Sequence, residues 1–146
     1  MNPRSTVQIA GHPVHVMLVP FVIASYFGAF AADLAYAFTL DPFFARAALW
    51  LIGTGIAMSA IAATVGLIDF FFEPRIRELN ASWWHFGGNV MVSLISIVDW
   101  ALRDEAGYEA GSASFVWLSF AVVLLLVFTG WKGWEMVYRH HVGIAD

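Results

Sequence analysis

The sequence predicts an all-α integral membrane protein, a four-helix bundle whose helices run antiparallel, up and down, with both termini on the same side. Of its 146 residues, 60% are hydrophobic and 12% are charged, whereas about 25% of the residues of a soluble domain are charged. The mean hydropathy is +0.73, and the apolar residues form four stretches of the roughly 20 residues that a membrane-spanning helix needs. A single membrane domain over residues 1–146 is therefore expected.

The first predicted span covers residues 16–40, and the second covers residues 43–72. Pro13 suits a first helical turn, where its missing N–H costs nothing, and Pro20 is expected to bend the helix one turn further on. The Asp41–Pro42 pair ends the first span, because the residue before a proline avoids the helical conformation. The second span is rich in glycine, alanine and serine, which let membrane helices pack closely and would leave room for a flat cofactor.

The third predicted span covers residues 82–103, and the fourth covers residues 115–138. Ser82 is expected to cap the third helix, because its hydroxyl can accept a hydrogen bond from a free N–H of the first turn. Asp33 and Asp99 lie near the far ends of the first and third spans. An ionisable group inside a membrane is costly, so both are interpreted as hydrated residues at helix ends.

Four antiparallel spans would place all five histidines at one membrane surface, the histidine face: His12, His15, His85, His140 and His141. Asp69 would join them there. The same face is expected to carry the larger share of the cations: Arg4, Arg75, Arg77, Lys132 and Arg139. Arg46 and Arg103 are expected at the opposite surface, so the positive-inside rule makes the histidine face and both termini cytoplasmic.

Histidine is the side chain through which this chain would hold a metal or a haem, because a neutral imidazole nitrogen ligates both. Cysteine is absent, which excludes covalent c-type haem and thiolate metal sites. His15 on the first span and His85 on the third are expected to meet across the bundle as axial ligands of a b-type haem. The other residues assigned to the haem or its propionates are His12, His140, Arg75, Arg77 and Arg139. Four glycines are expected to leave room for the haem: Gly28, Gly66, Gly87 and Gly88.

Two other interpretations stay open at this point. His15, His85, His140 and Asp69 also form a nitrogen and oxygen ligand set suited to a non-haem zinc, iron, copper or manganese ion. Alternatively, the histidines are interfacial anchors of a cofactor-free structural or interaction module. The chain contains no phosphate-binding loop, zinc-protease motif or nucleophile elbow, so neither a hydrolase nor an ATP-driven machine is expected. No catalytic residue is assigned.

Four segments resemble the bacterial DUF2231 family of four-span membrane proteins, in the family's order and over nearly the whole chain: GHPVHVMLVPF (11–21), GLIDFF (66–71), WHFGGN (84–89) and GWKGWEMVYRHHVGI (130–144). DUF2231-like segments are found joined to cytochrome c-like or Rieske-like domains, so the resemblance implies membrane redox chemistry. It carries the family's motif positions onto six residues of this chain: His15, Asp33, Asp69, His85, Tyr138 and His140.

The resulting hypothesis is a b-type haem protein of the bacterial cytoplasmic (inner) membrane that transfers electrons, as an oxidoreductase or an electron-transfer subunit. The lipid bilayer surrounds it, and quinone or a redox protein is the expected partner. A homodimer through the small residues of the second span is a further expectation. The formal net charge of −4 argues neither for nor against a nucleic-acid partner. There is no basic tail, and no nucleic-acid partner is expected.

Overall fold

The computed structural model describes residues 2–3, 5–107 and 114–144. Arg4, one of the cations assigned to the histidine face, lies outside these residues. In the described chain, four helices are long and apolar enough to cross a membrane, which confirms the predicted fold class. The helices are α1 (Val14–Thr39), α2 (Pro42–Phe72), the single-turn α3 (Pro74–Arg77), α4 (Asn80–Ala106) and α5 (Phe115–Trp134), and a π-helical turn, Glu135–Arg139, extends α5.

Each long helix packs against two neighbours, so that α1 and α4 lie diagonally across the bundle. Helix α1 contacts α2 and α5, and helix α4 also contacts α5 and α2. The start of α1, the end of α2, the start of α4 and the end of α5 meet at one end of the bundle, because His15, Gly66, His85 and Gly133 are in contact there. We call this end the histidine end.

Helix α1 begins two residues before the predicted span and is preceded by a small hairpin. Strand β1 (Gln8–Ile9) pairs antiparallel with strand β2 (His12–Pro13). Pro13 is therefore the N-cap of α1, with extended backbone, rather than a residue of its first turn. Pro20 lies within the helix without ending it. The turn predicted at Asp41–Pro42 is confirmed, and the Asp41 carboxylate caps α2 by accepting a hydrogen bond from the Phe43 N–H.

Helix α4 begins at Asn80, so the prediction that Ser82 caps it is wrong. Ser82 is buried, and its hydroxyl lies 2.6 Å from the carbonyl oxygen of Ile76 and 2.7 Å from that of Leu79. The physical reason is α3, whose last carbonyl groups have no helical partner. The Trp83 indole N–H donates to one of them, the carbonyl oxygen of Arg77, at 2.9 Å. Side chains in the first turn of α4 thus donate hydrogen bonds to the carbonyl groups at the end of α3 and in the loop that follows it.

Apart from Tyr26, the central core of the bundle is built from small and medium side chains, while many large apolar residues lie on its outer surface. The core residues are Val22, Tyr26, Ala62, Val92, Val122 and Leu126. The Tyr26 ring lies so close to Gly55 that a Cβ there would come within 2.7 Å of it. A Cβ at Gly53 would lie 3.1 Å from the Trp100 side chain on α4, and a Cβ at Gly66 would lie 2.9 Å from the His15 ring on α1. These small residues of α2 therefore serve packing within the chain, and the homodimer stays a prediction.

A buried ion triad occupies the opposite end of the bundle, and it corrects the interpretation of Asp33 and Asp99 as hydrated residues. The side chains of Asp33, Asp99 and Arg103 are only 5%, 1% and 6% exposed. Helix α4 continues to Ala106, so Arg103 lies inside the bundle, where its guanidinium binds both carboxylates. The N–O distances are 2.6 and 2.8 Å to Asp33 and 2.9 and 3.2 Å to Asp99.

The triad joins three helices. Asp33 belongs to α1 and Arg103 to α4, while Phe115 at the start of α5 packs its ring 4.6 Å from the guanidinium carbon. The Phe115 carbonyl oxygen also accepts a hydrogen bond from Arg103. A guanidinium suits this position because its planar fork of donors can serve two carboxylates at once. The triad therefore holds the diagonal helices α1 and α4 together at this end.

Replacing Arg103 should destabilise the bundle strongly. The Arg103→Ala variant leaves two carboxylates buried without their cation, and breaking a buried ion pair from one side costs about 3–5 kcal/mol. Arg46→Ala is the matched control, since Arg46 is an exposed cation of the same membrane side. Thermal unfolding in detergent should show a large fall in midpoint for Arg103→Ala and almost none for Arg46→Ala. Equal midpoints would contradict a stabilising role of the triad.

Candidate functional site

Two of the five histidines, His15 and His85, meet at the histidine end of the bundle. Their ring centroids lie 6.0 Å apart, and the ring planes are nearly perpendicular, at 84°. Both side chains are partly buried. His15 comes from the first turn of α1 and His85 from the second turn of α4, so the pair spans the diagonal of the bundle. This is the contact that the sequence predicted for an axial ligand pair.

A backbone carbonyl of a neighbouring helix holds each imidazole in place. His15 Nδ1 lies 2.8 Å from the carbonyl oxygen of Ala62 on α2, and His85 Nδ1 lies 2.8 Å from that of Thr129 on α5. A carbonyl oxygen can only accept, so Nδ1 carries the hydrogen in both rings. The lone pair of a neutral imidazole is then on Nε2. Among the described residues, neither Nε2 has a hydrogen-bond partner.

Two glycines allow the rings to reach these carbonyls. Gly66 follows Ala62 by four residues, and Gly133 follows Thr129 by four residues. Residues four apart are neighbours on a helix surface, so a side chain at either glycine would cover the carbonyl. A Cβ at Gly66 would lie 2.9 Å from His15 Nδ1, and a Cβ at Gly133 would lie 3.1 Å from the His85 ring. Glycine at both positions therefore makes the imidazole–carbonyl bonds sterically accessible.

The two halves of the site repeat one arrangement. In each half, a histidine near the start of one helix binds a carbonyl near the end of the next, beside a glycine. The ion pair between Asp33 and Arg103 follows the same relation, because its residues are 70 positions apart, as His15 and His85 are. The hairpins α1–α2 and α4–α5 thus contribute equivalent histidine, carbonyl and glycine contacts to the site.

The remaining predicted ligands do not join this pair. In the part of the chain that the structure describes, no group of three or more histidine, aspartate or glutamate side chains is arranged to hold a metal ion. The set of His15, His85, His140 and Asp69 is therefore not assembled. His12 lies in β2 and is exposed, and its Nδ1 lies 3.0 Å from the carbonyl oxygen of Ala10, two residues earlier. His140 and His141 follow the π-helical turn.

Asp69 has a different set of partners from the one predicted. Its carboxylate accepts hydrogen bonds from the Ser5 hydroxyl at 2.7 Å and from the N–H groups of Thr6 and Val7 at 2.6 and 3.1 Å. The carboxylate lies three residues after Gly66 on α2, and the segment before β1 folds over it. The physical reason is that three donors compensate the burial of this charge, so Asp69 anchors the segment at residues 5–7.

The arginines predicted to pair with haem propionates lie next to carboxylates of their own segments. Arg75 Nε is 2.8 Å from Glu73 Oε1, and Arg139 is 3.4 Å from Glu135, which also binds Lys132 at 2.9 Å. Arg75 and Arg139 are both exposed, and exposed ion pairs contribute little to stability. An arginine of this kind could therefore leave its glutamate for another anion, such as a haem propionate, at little cost in stability.

Comparison with known proteins gives a family and nothing beyond it. The family model DUF2231, described as a predicted membrane protein, matches residues 11–146. The chain belongs to the DUF2231 family. No curated protein matches the chain, and no solved structure matches it. The family description of this DUF2231 protein names a membrane protein and no activity.

The sequence predicts the pair of imidazoles but only part of what holds them in place. Gly66 is predicted to leave room for a haem, which stays a prediction, and in the structure it makes room for the His15 ring. Gly133, which does the same for His85, is not among the predicted residues. The carbonyls of Ala62 and Thr129 were also missed, since any residue type provides a carbonyl. The one signal in the sequence is the pair of glycines near the ends of α2 and α5 in this DUF2231 chain.

Adding a methyl group at either glycine should displace a ring. Gly66→Ala and Gly133→Ala overpack the contact, which typically costs about 1–3 kcal/mol, and break one Nδ1–carbonyl bond. Gly130→Ala is the matched control, because a Cβ there meets nothing within 4 Å. Nitrogen NMR of labelled histidine should show one ring losing its fixed Nδ1–H tautomer in each variant. Unchanged resonances in both would contradict the role assigned to the glycines.

Proposed function

We propose that this DUF2231 protein is a membrane b-type haem protein whose axial ligands are His15 and His85, and that it transfers electrons. The observation that carries the proposal is the geometry of the imidazole pair. An imidazole nitrogen lies roughly 2 Å from a transition metal that it ligates. Two rings bound to one ion from opposite sides therefore have centres about 6 Å apart, and the observed separation is 6.0 Å.

The hydrogen bonds of the pair support the same function. A histidine that ligates a metal almost always donates its other N–H to a carbonyl, a carboxylate or water, which fixes the tautomer and raises the basicity of the ligating nitrogen. His15 and His85 have this arrangement through Ala62 and Thr129. Because the chain has no cysteine, a haem held here would be non-covalent.

Electron transfer is the reaction that suits two histidine ligands. Haem iron supplies a reversible one-electron couple, tuned by its axial ligands and by the hydrogen bonds to them. His15 and His85 would together hold the haem iron, which suits electron transfer rather than the binding of oxygen or a substrate. The residues of the chain then hold and orient the group and exclude water. Quinone or a redox protein is the proposed exchange partner.

A non-haem ion is the second candidate, because the imidazole pair is already within bridging distance of a single ion. Imidazole suits copper, iron and zinc. The described residues offer two nitrogen ligands and no third histidine or carboxylate beside them, which favours an ion that accepts few protein ligands. A site of this kind would bind metal without a porphyrin.

The absorption spectrum decides between these candidates. Protein purified from cells supplied with haem should show a Soret band that is lost in His15→Ala and in His85→Ala. His12→Ala and His141→Ala are the controls and should retain the band, because both histidines are exposed. Metal analysis of the same preparation completes the test. A colourless protein, even after haem is added, would overturn the haem proposal, and stoichiometric copper, iron or zinc would favour the second candidate.

We also propose that the protein lies in the bacterial inner membrane with its histidine end facing the cytoplasm. Arg75, Arg77, Lys132 and Arg139 belong to segments at that end. At the other end Arg103 is neutralised within the triad, which leaves Arg46 as an exposed cation there. The positive-inside rule counts the lysines and arginines of the connecting segments. The burial of Arg103 therefore increases the excess of exposed cations at the histidine end.

Cysteine labelling tests this orientation without interference from native thiols, since the chain has none. Arg77→Cys and Arg46→Cys place a thiol at exposed positions of the two ends. In intact spheroplasts, a membrane-impermeant maleimide should label the Arg46→Cys protein, and should label the Arg77→Cys protein only after permeabilisation. The reverse pattern would mean that the histidine end faces outwards.

A further inference from the structure

The segment at residues 5–13, which we call the strap, crosses the histidine end of the bundle. It consists of residues 5–7, the two short strands and the turn between them, where Ala10 and Gly11 have positive φ values of 50° and 79°. One attachment is Asp69, whose carboxylate accepts the three hydrogen bonds from Ser5, Thr6 and Val7. Ser5 and Asp69 are only 7% and 8% exposed, so this contact is packed as tightly as the core.

The strap also reaches the segment that follows α5. The N–H of Gly143 donates to the carbonyl oxygen of Pro3, two residues before the start of the strap, at 2.8 Å. Pro13, at its other end, packs so closely on Gly143 that a Cβ there would lie 2.9 Å from the proline ring. The strap therefore bridges the ends of α2 and α5, the two helices whose carbonyls hold the imidazoles.

The attachment at Asp69 is close to the imidazole pair. Asp69 lies three residues beyond Gly66, less than one helical turn along α2, and Gly66 contacts the His15 ring. His15 itself follows the strap after one residue, and the N–H of Val14 donates to the carbonyl oxygen of Val7. A movement of the strap away from Asp69 would therefore uncover the end of the bundle where the two rings meet.

We propose that the strap gates access to the His15–His85 pair and that Asp69 is its latch. Hydrogen bonds to an ionised carboxylate are stronger than neutral ones, and three of them converge on this side chain. The outer part of the strap is held weakly by comparison, since its two strands have two residues each and Ile9 is exposed. Loss of the latch should release the strap while the bundle stays folded. The gate concerns the site of the proposed function, but it applies to any ligand of the pair.

Chemical labelling of the histidines tests the gate without a bound cofactor. Diethyl pyrocarbonate acylates neutral imidazole, and peptide mass spectrometry gives the rate at each histidine of the haem-free full chain in detergent. In Asp69→Ala, the rates at His15 and His85 should both rise at least tenfold over the wild-type rates. The rate at the exposed His141 should not change. Asp69→Asn retains an acceptor oxygen for the Thr6 and Val7 N–H groups, so it should give an intermediate increase.

Asp41→Ala is the matched control, because Asp41 also accepts a backbone N–H but caps the other end of α2. Its rates should equal those of the wild type. Should Asp69→Ala fail to fold, as judged by circular dichroism and size exclusion, Ser5→Ala decides, and it should raise both rates about threefold. Unchanged rates at His15 and His85 in a folded variant, or an increase at one ring alone, would overturn the gate. Absence of a haem would not affect this measurement, so the two proposals fail separately.

Discussion

The hydrogen bond from an imidazole Nδ1 to a helix carbonyl is the interaction on which the site depends. Such a carbonyl already accepts a bond within its own helix, and a side chain four residues later would cover it. Gly66 and Gly133 remove that obstacle on α2 and α5. The bond then sets the position of each ring, its tautomer and the nitrogen that is free to ligate. Gly66 thus determines which nitrogen of His15 is available to a ligand, and Gly133 does the same for His85.

Polar contacts between helices also explain how the diagonal helices α1 and α4 are held together in a bundle that is surrounded by lipid. Lipid tails are as apolar as leucine, so association in a membrane relies on close packing and polar contacts between helices. At one end, His15 and His85 connect α1 and α4 through the helices between them. At the other end, Arg103 connects them directly through Asp33. The polar side chains at the two ends therefore fix the register of the diagonal pair.

The polar clusters at the two ends of the bundle differ in how completely their hydrogen-bonding groups and charges are paired. Within the ion triad, every charge faces an opposite charge and is buried. At the histidine end, the imidazoles are partly buried, and each has an Nε2 without a partner in the described chain. The strap is attached at the same end, to Asp69 and Gly143. A fully compensated cluster stabilises the bundle, whereas an incompletely bonded pair is suited to binding a ligand.

Much of this could be predicted from the sequence alone, because hydropathy and histidine position are local properties of the chain. The four spans, the turn at Asp41–Pro42 and the meeting of His15 with His85 follow from apolar run length and an antiparallel path. Tertiary structure decided the rest. Asp33 and Asp99 are buried because α4 continues past Arg103, and Asp69 binds the strap because residues 5–7 fold back over α2. Such contacts join residues up to 70 positions apart, and local patterns carry no information on which distant donor will satisfy a given carboxylate.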